Sequence, residues 1–101
     1  MDNLKILQGI HEGNKHQPEW KLFEGAGPRI TEYFVPFGHE YREIPAVHVS
    51  IMGMEILKEG NHRYNVEVLE VKKDGFQIRY KTWGDTQVWF IKTAWMAVGK
   101  E

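Results

Sequence analysis

The chain has no cysteine, which excludes a disulfide framework and any metal site built from thiolates. This absence fits a protein of a reducing compartment, or one released without oxidative folding. No apolar run approaches the roughly 18 residues that a membrane-spanning helix needs. The N-terminal residues also lack the basic segment and long apolar segment of a secretory signal. We therefore expect no membrane insertion.

The sequence carries no excess of charge of either sign. Its 13 Lys and Arg against 14 Asp and Glu give a net charge of −1. Long-range attraction to a phosphate backbone is therefore not expected, and nucleic-acid binding is disfavoured. With 101 residues, 42% of them apolar, the chain is predicted to form one domain over residues 1–101, and burial in an oligomer would add to its core.

The sequence shows no convergent set of catalytic residues. Ser50 is the only serine and lies in a strand-like run, so nucleophilic serine catalysis is disfavoured. The five histidines do not show the spacing of a metal site, and no phosphate-binding glycine loop is visible. Carboxylate pairs such as Glu67 and Glu70 are ordinary on a solvated strand face. We expect no enzymatic activity, no metal and no cofactor.

What the chain does contain is a series of short runs in which apolar and polar residues alternate, a pattern that predicts β-strands. Asp74-Gly75 between two of the runs indicates a hairpin, and Pro36 indicates a strand end, a bulge or an edge. Met52–Glu59 would accommodate a helical turn. The spacing favours an all-β antiparallel sandwich. The predicted strands are Arg29–Phe37, Pro45–Met52, Arg63–Val71, Gly75–Thr82 and Gln87–Val98.

The two ends of the chain give different signals. Glycine and proline interrupt residues 1–28 repeatedly, so we expect a less regular N-terminal segment there. The last predicted strand is apolar on both faces, whereas one face of a two-layer sandwich should meet solvent. Either a subunit interface or cover by the N-terminal segment would explain that pattern.

The residues best suited to recognition surround the turn Thr82–Thr86. Trp83 and Trp89 flank this turn, Asp85 lies in it, and Arg63 begins another predicted strand. Arginine and carboxylate groups bond the hydroxyls of a sugar, while an aromatic ring packs on its C–H face. The same residues also fit a purely structural role, with packed tryptophans and an aspartate that caps a turn.

Short motifs recur in a characteristic order from Glu32 to Gly99, and Gly9 and Trp20 fit weaker markers before them. The main motifs are Val35-Pro36-Phe37, Ile44-Pro45-Ala46-Val47, Val49-Ser50-Ile51, Asn61, Arg63, Gly75-Phe76, Thr82-Trp83-Gly84-Asp85-Thr86 and Ala94-Trp95-Met96-Ala97. In order and spacing this set resembles the H-type lectins, the domain of snail agglutinins and of the C-terminal part of discoidins. The resemblance covers about two-thirds of the chain.

The resemblance implies a six-stranded antiparallel β-sandwich that assembles into a trimer, with sites for galactose or N-acetylgalactosamine between subunits. It places Arg63 and Trp83 at the sugar, and Trp89 where a tyrosine commonly packs against it. Gly84 stands where snail members carry a histidine that contacts the sugar, so that contact is missing here. Glu24 would be the acidic residue that the neighbouring subunit supplies.

We therefore expect a non-enzymatic, trimeric lectin whose partners are glycans. The alternative is a structural or attachment module, such as part of a viral or phage tail, that keeps the fold without sugar binding. A small hydrolase or isomerase would need a convergent acid–base pair that the sequence does not show. The expected sugar-binding residues are Glu24, Asn61, Arg63, Trp83, Asp85 and Trp89.

Overall fold

Two antiparallel sheets of three strands each build the protein, as seen in a computed structural model that describes residues 3–101. Sheet I has the strand order β1-β6-β3 and sheet II the order β2-β5-β4. The predicted all-β fold with six antiparallel strands is confirmed. Residues 3–101 contain no helix long and apolar enough to cross a bilayer. The strands are β1 (Leu4–Asn14), β2 (Arg29–Pro36), β3 (Ala46–Ile56), β4 (Asn65–Leu69), β5 (Gly75–Thr82) and β6 (Val88–Lys100).

The core lies between the two sheets and is built from alternate residues of the strands. On β5 the buried residues include Phe76, Ile78 and Tyr80, as the alternation predicted, and β6 adds Ile91 and Trp95. Burying one such side chain contributes about 1.5–3 kcal/mol relative to leaving it exposed. Successive residues of a strand point to opposite faces, and this alternation defines the inner and outer face of each sheet.

The N-terminal segment is more regular than the sequence suggested. Residues 4–14 form the 11-residue strand β1, which pairs along its whole length with β6. Gly9 and Gly13 are not breaks in this strand but positions where a tryptophan ring lies against the backbone. A Cβ atom on Gly9 would lie 2.5 Å from the ring of Trp95, and one on Gly13 would overlap the ring of Trp20. Residues 15–28 do form the irregular connection that the prediction described.

Strand β3 is also longer than predicted. It runs on to Ile56, so most of Met52–Glu59 belongs to the strand and the segment forms no helical turn. The change has a local cause, because the pairing with β6 slips between Ile51 and Gly53, and such a bulge disturbs the alternation from which strands are recognised. The predicted hairpin around Asp74-Gly75 joins β4 to β5.

The outer faces of the two sheets differ in character. On sheet I the outer face carries an apolar patch, consisting of Leu4, Ile6, Ile10, Met96 and Val98. On sheet II a row of charged residues crosses the outer face, consisting of Glu32, Arg79 and Glu67. The N-terminal segment pairs beside β6 and does not cover it, and Ile6 and Ile10 are 58% and 59% exposed. Cover by the N-terminal segment therefore does not explain the two-sided last strand.

Three connections meet at one end of the sandwich. In the strand pairings, Asn14 faces Phe90, Ile56 faces Val88 and Arg29 faces Thr82. The connections 15–28, 57–64 and 83–87 therefore lie together, and we call them the three-loop end. Five of the six residues expected at a sugar site lie on these connections, and the sixth, Trp89, is the second residue of β6.

The fit of Trp95 against Gly9 predicts a stability difference between two glycine substitutions. Gly9→Ala should destabilise the protein by about 1–3 kcal/mol, because the added methyl group overlaps the Trp95 ring and the core must shift. Gly53→Ala is the matched control in β3, since no atom lies within 4 Å of its added Cβ and its φ is not positive. This control should leave stability unchanged or raise it by up to about 1 kcal/mol. Urea unfolding of both variants measures the difference. Equal stabilities would show that the Trp95 ring does not pack closely against Gly9.

Candidate functional site

One group of polar residues at the three-loop end is centred on Asp85. Its Oδ1 lies 2.9 Å from Nη1 of Arg63 and accepts a hydrogen bond of 3.2 Å from the backbone N–H of Asn61. Three of the expected site residues are thus brought together by one carboxylate. The group is solvent-accessible, and Arg63 keeps further N–H groups that a ligand hydroxyl can reach.

Two buried threonines fix the backbone from which Arg63 projects. Thr86 Oγ1 accepts from the backbone N–H of Arg63 at 3.0 Å and donates to the carbonyl of Asn61 at 2.5 Å. Thr82 Oγ1 donates to the carbonyl of Arg63 at 2.5 Å. Both hydroxyl groups are fully buried, so they bind the 57–64 connection to the last residue of β5 and to the 83–87 turn. The Arg63 side chain therefore starts from a rigid point.

The environment of Asp85 lowers the pKa of its carboxyl group. The hydrogen bond from the backbone N–H of Asn61 is the largest cause. Desolvation opposes it, and the hydrogen bond and charge of Arg63 add smaller contributions that also lower the pKa. A carboxyl group with a lowered pKa is a weak base. It suits holding a turn and accepting hydrogen bonds better than general acid–base work near neutral pH.

Gly84 has a conformation and a surrounding that both favour glycine. Its φ is +69°, and a Cβ atom there would lie 2.6 Å from Nη1 of Arg63. The space that a side chain at this position would need is occupied by the guanidinium that binds Asp85. The Arg63–Asp85 contact therefore requires that position 84 has no side chain.

The two tryptophans expected at the site have different surroundings. Trp83 is 38% exposed, and Nζ of Lys81 lies 6.0 Å from the centre of its ring. Trp89 is half-buried and contacts residues of the 15–28 connection. Nζ of Lys15 lies 4.0 Å from the centre of a Trp89 ring, and the ring of Phe23 packs edge-on against Trp89 at 5.6 Å. Trp89 thus belongs to a second group of side chains, distinct from the Arg63–Asp85 group.

A surface cavity of about 330 Å³ adjoins this second group. Residues 15–18 line it together with Trp20, Phe23 and Glu24. Glu24, the acidic residue expected from the loop, is exposed at this cavity. Glu24 therefore lies at the cavity beside the Trp89 group, whereas Asn61, Arg63 and Asp85 form a separate set of contacts.

Arg29, which the sequence did not single out, connects the two groups. Its guanidinium donates to the carbonyls of Gly27, Leu22 and Glu24 in one loop, and to those of Gly84 and Thr86 in the turn. The backbone N–H of Gly27 also donates to the carbonyl of Gly84 at 2.9 Å. Nothing in the sequence marks Arg29, because its bonds all go to backbone atoms. Lys15 was missed for a similar reason, since its partners are aromatic rings distant in sequence.

The histidines do not converge. Among residues 3–101, no three His, Asp or Glu side chains are placed to hold a metal ion. His11 is partly buried in the sandwich, where its Nδ1 forms a hydrogen bond of 2.7 Å with the hydroxyl of Tyr80. This burial lowers the pKa of His11. His48 is exposed, as expected for the face of β3 opposite Val47.

Comparison with known proteins gives the same picture for the fold. The profile of the H-type lectin domain matches residues 32–98. Two solved structures of discoidin II from Dictyostelium discoideum superpose with a TM-score of 0.84 at 22% and 21% identity. Each match covers 98% of this chain, which spans only 38% of the discoidin II chain. A protein of Fuscovulum blasticum named "ATP synthase subunits region ORF 7" is 29% identical over 104 residues, covering 98% of this chain and 90% of that protein.

The contact between Gly84 and Arg63 predicts how two loop glycines differ. Gly84→Ala and Gly27→Ala each place a methyl group at positive φ, +69° and +78°, and should each cost about 1 kcal/mol of stability for that reason. Only Gly84→Ala also displaces Arg63, since no atom lies within 4 Å of a Cβ on Gly27. In Gly84→Ala the pKa of Asp85 should therefore rise toward its ordinary value, as measured by carbon NMR titration of the carboxyl groups. An unchanged Asp85 titration in Gly84→Ala would contradict the coupling.

Proposed function

The chain belongs to the H-type lectin family, and we propose that it is a non-enzymatic carbohydrate-binding protein with its sugar site at the three-loop end. The observation that carries this proposal is the grouping of Asn61, Arg63 and Asp85 around one carboxylate, beside the loop that holds Glu24. Arginine donors and carboxylate acceptors on rigid backbone suit the vicinal hydroxyls of a sugar ring. The ligands proposed are glycans of the galactose and N-acetylgalactosamine type.

Each group supplies only part of such a site. Arg63 would donate to sugar hydroxyls and Trp83, exposed on the neighbouring turn, would line the ring. Glu24 and Trp89 would contribute an acceptor and an aromatic wall from the second group. We propose that the Arg63 group of one protomer meets the Glu24 and Trp89 group of a neighbour, so that a complete site forms between subunits.

The apolar patch of sheet I supports a trimer as the assembly. Exposed apolar side chains on the neighbouring strands β1 and β6 are costly in water and typical of an interface, whereas a row of charged residues crosses the outer face of sheet II. Closed three-fold symmetry would use this patch once in every protomer and give three equivalent sites. Weak individual sites would then act together through avidity.

The second candidate function is a structural or attachment module that keeps the fold and lacks sugar binding. The feature that favours it is the ion pair between Arg63 and Asp85, since a guanidinium already bound at 2.9 Å has fewer donors left for a ligand. The absence of a side chain at Gly84 also favours a module without sugar binding, because no contact to a sugar can be made from that position. Binding measurements on an intact oligomer separate the two functions.

Replacing Arg63 should weaken glycan binding. Arg63→Ala removes a charged donor to the ligand, which is worth about 1.5–3 kcal/mol, and should lower affinity by about tenfold or more on a glycan array. Trp89→Ala should also reduce binding. The matched control is Arg79→Ala, because Arg79 is likewise bound to a carboxylate, at 2.7 Å from Glu32, but lies on the outer face of sheet II. Unchanged array binding by both Arg63→Ala and Trp89→Ala would show that this site is wrongly assigned.

The apolar patch predicts the effect of one charge on assembly. Ile10→Glu should reduce a trimer to monomers, because it buries a carboxylate in the proposed interface without a partner. Light scattering after gel filtration should give three times the chain mass for the original protein and the mass of one chain for this variant. Ile30→Glu, on the outer face of sheet II opposite Lys81, is the control and should remain trimeric. A monodisperse monomer of the original protein would remove the intersubunit site.

A further inference from the structure

The cavity beside Trp89 is lined by the side chain of Lys15, whose positive charge is held in place. The backbone N–H of Lys15 donates to the carbonyl of Trp89 at 2.9 Å, which fixes the start of the side chain. The turn that carries Lys15 is further ordered by Asn14, whose side-chain and backbone oxygens accept from the N–H groups of His16 and Gln17 at 3.0 and 3.1 Å. Lys15 is therefore presented by a rigid turn.

The Lys15 ammonium lies between two aromatic rings. Nζ is 4.0 Å from the centre of a Trp89 ring and 4.6 Å from that of Phe23. Cation–π contacts of this kind hold an ammonium group in position with about 0.5–2 kcal/mol, depending on its exposure. They leave its positive charge in place, because a ring quadrupole carries no net charge.

Arg63 and Lys15, two cations at the three-loop end, differ in whether a carboxylate neutralises them. Arg63 has an internal counter-ion, Asp85, at 2.9 Å. Among residues 3–101, no carboxylate makes an ion pair with Lys15. Glu24 lines the same cavity, and its backbone carbonyl is held by Arg29. Compared with Arg63, Lys15 therefore has a charge that a ligand at this cavity can satisfy.

We infer that the cavity formed by residues 15–18, Phe23 and Glu24 binds the acidic group of an acidic glycan, with Lys15 as the anion-binding residue. This inference rests on the proposed sugar-binding function and narrows its ligand from neutral galactosides to sugars that carry a carboxylate, such as uronic acids. Lys15 donates to the carboxylate, and the imidazole of His16, edge-on to Trp89 at 6.3 Å, lines the same space. Glu24 accepts from a hydroxyl of the same sugar.

A matched pair of ligands tests the inference. Methyl galactopyranosiduronate and methyl galactopyranoside differ only in the carboxylate or hydroxymethyl group at the sugar's sixth carbon. Calorimetric titration of the intact protein should give a Kd about three- to fivefold lower for the uronide at low salt, as expected for one solvent-accessible ion pair. The preference should shrink as ionic strength rises.

Three variants assign the preference to Lys15. Lys15→Gln should abolish it, Lys15→Arg should retain it, and Lys72→Gln, at the opposite end of the sandwich, should leave it unchanged. Equal affinities of the original protein for both ligands would overturn the inference while the proposed function stood, and so would a preference that survives in Lys15→Gln. Binding of neither ligand would overturn the inference, and a glycan array without any binding would remove the proposed function as well.

Discussion

The candidate site depends on the guanidinium of Arg29. A guanidinium has five N–H donors, and Arg29 makes five hydrogen bonds, all to backbone carbonyls of the two loops it joins. Residues 22–28 and the 83–87 turn contain four residues that favour turns, Gly25, Gly27, Pro28 and Gly84, and no strand pairing of their own. Two of these carbonyls, those of Gly84 and Leu22, also accept from the backbone N–H groups of Gly27 and Val88, and Arg29 adds a charged donor to both loops at once. The guanidinium binds the carbonyls of both Glu24 and Gly84, and so helps to fix their positions relative to each other.

The regular part of the fold could be predicted because alternation is a local property of the sequence. β5 was found in full, since apolar and polar residues alternate without a break from Phe76 to Lys81. β1 was missed because its inner positions are occupied by Gly9 and Gly13, and a glycine reads as an interruption. The reason for those glycines lies in Trp95 and Trp20, which are distant in sequence and reach β1 only after folding. The bulge after Ile51 hid the end of β3 in a similar way.

The candidate site was predictable as a list of residues but not as an arrangement. Pattern and family resemblance together pointed to Arg63, Trp83 and Asp85 near one turn, and the structure places Arg63 and Asp85 in contact. That Trp89 would contact Lys15 instead could not be read from the sequence, since the contact needs β1 and β6 to be paired first. Arg29 was invisible because its partners are carbonyl groups, which every residue has.

The strand order of sheet I also constrains how the protein can fold. β6, the last strand along the chain, is the central strand of this sheet, and β1 and β3 each pair with β6 rather than with each other. Sheet II, in contrast, is complete once residues 29–82 are available. During synthesis β1 therefore remains without its partner until residues as far as Lys100 have left the ribosome. Its apolar side chains spend that interval unpaired, and contacts between residues so far apart in sequence form slowly.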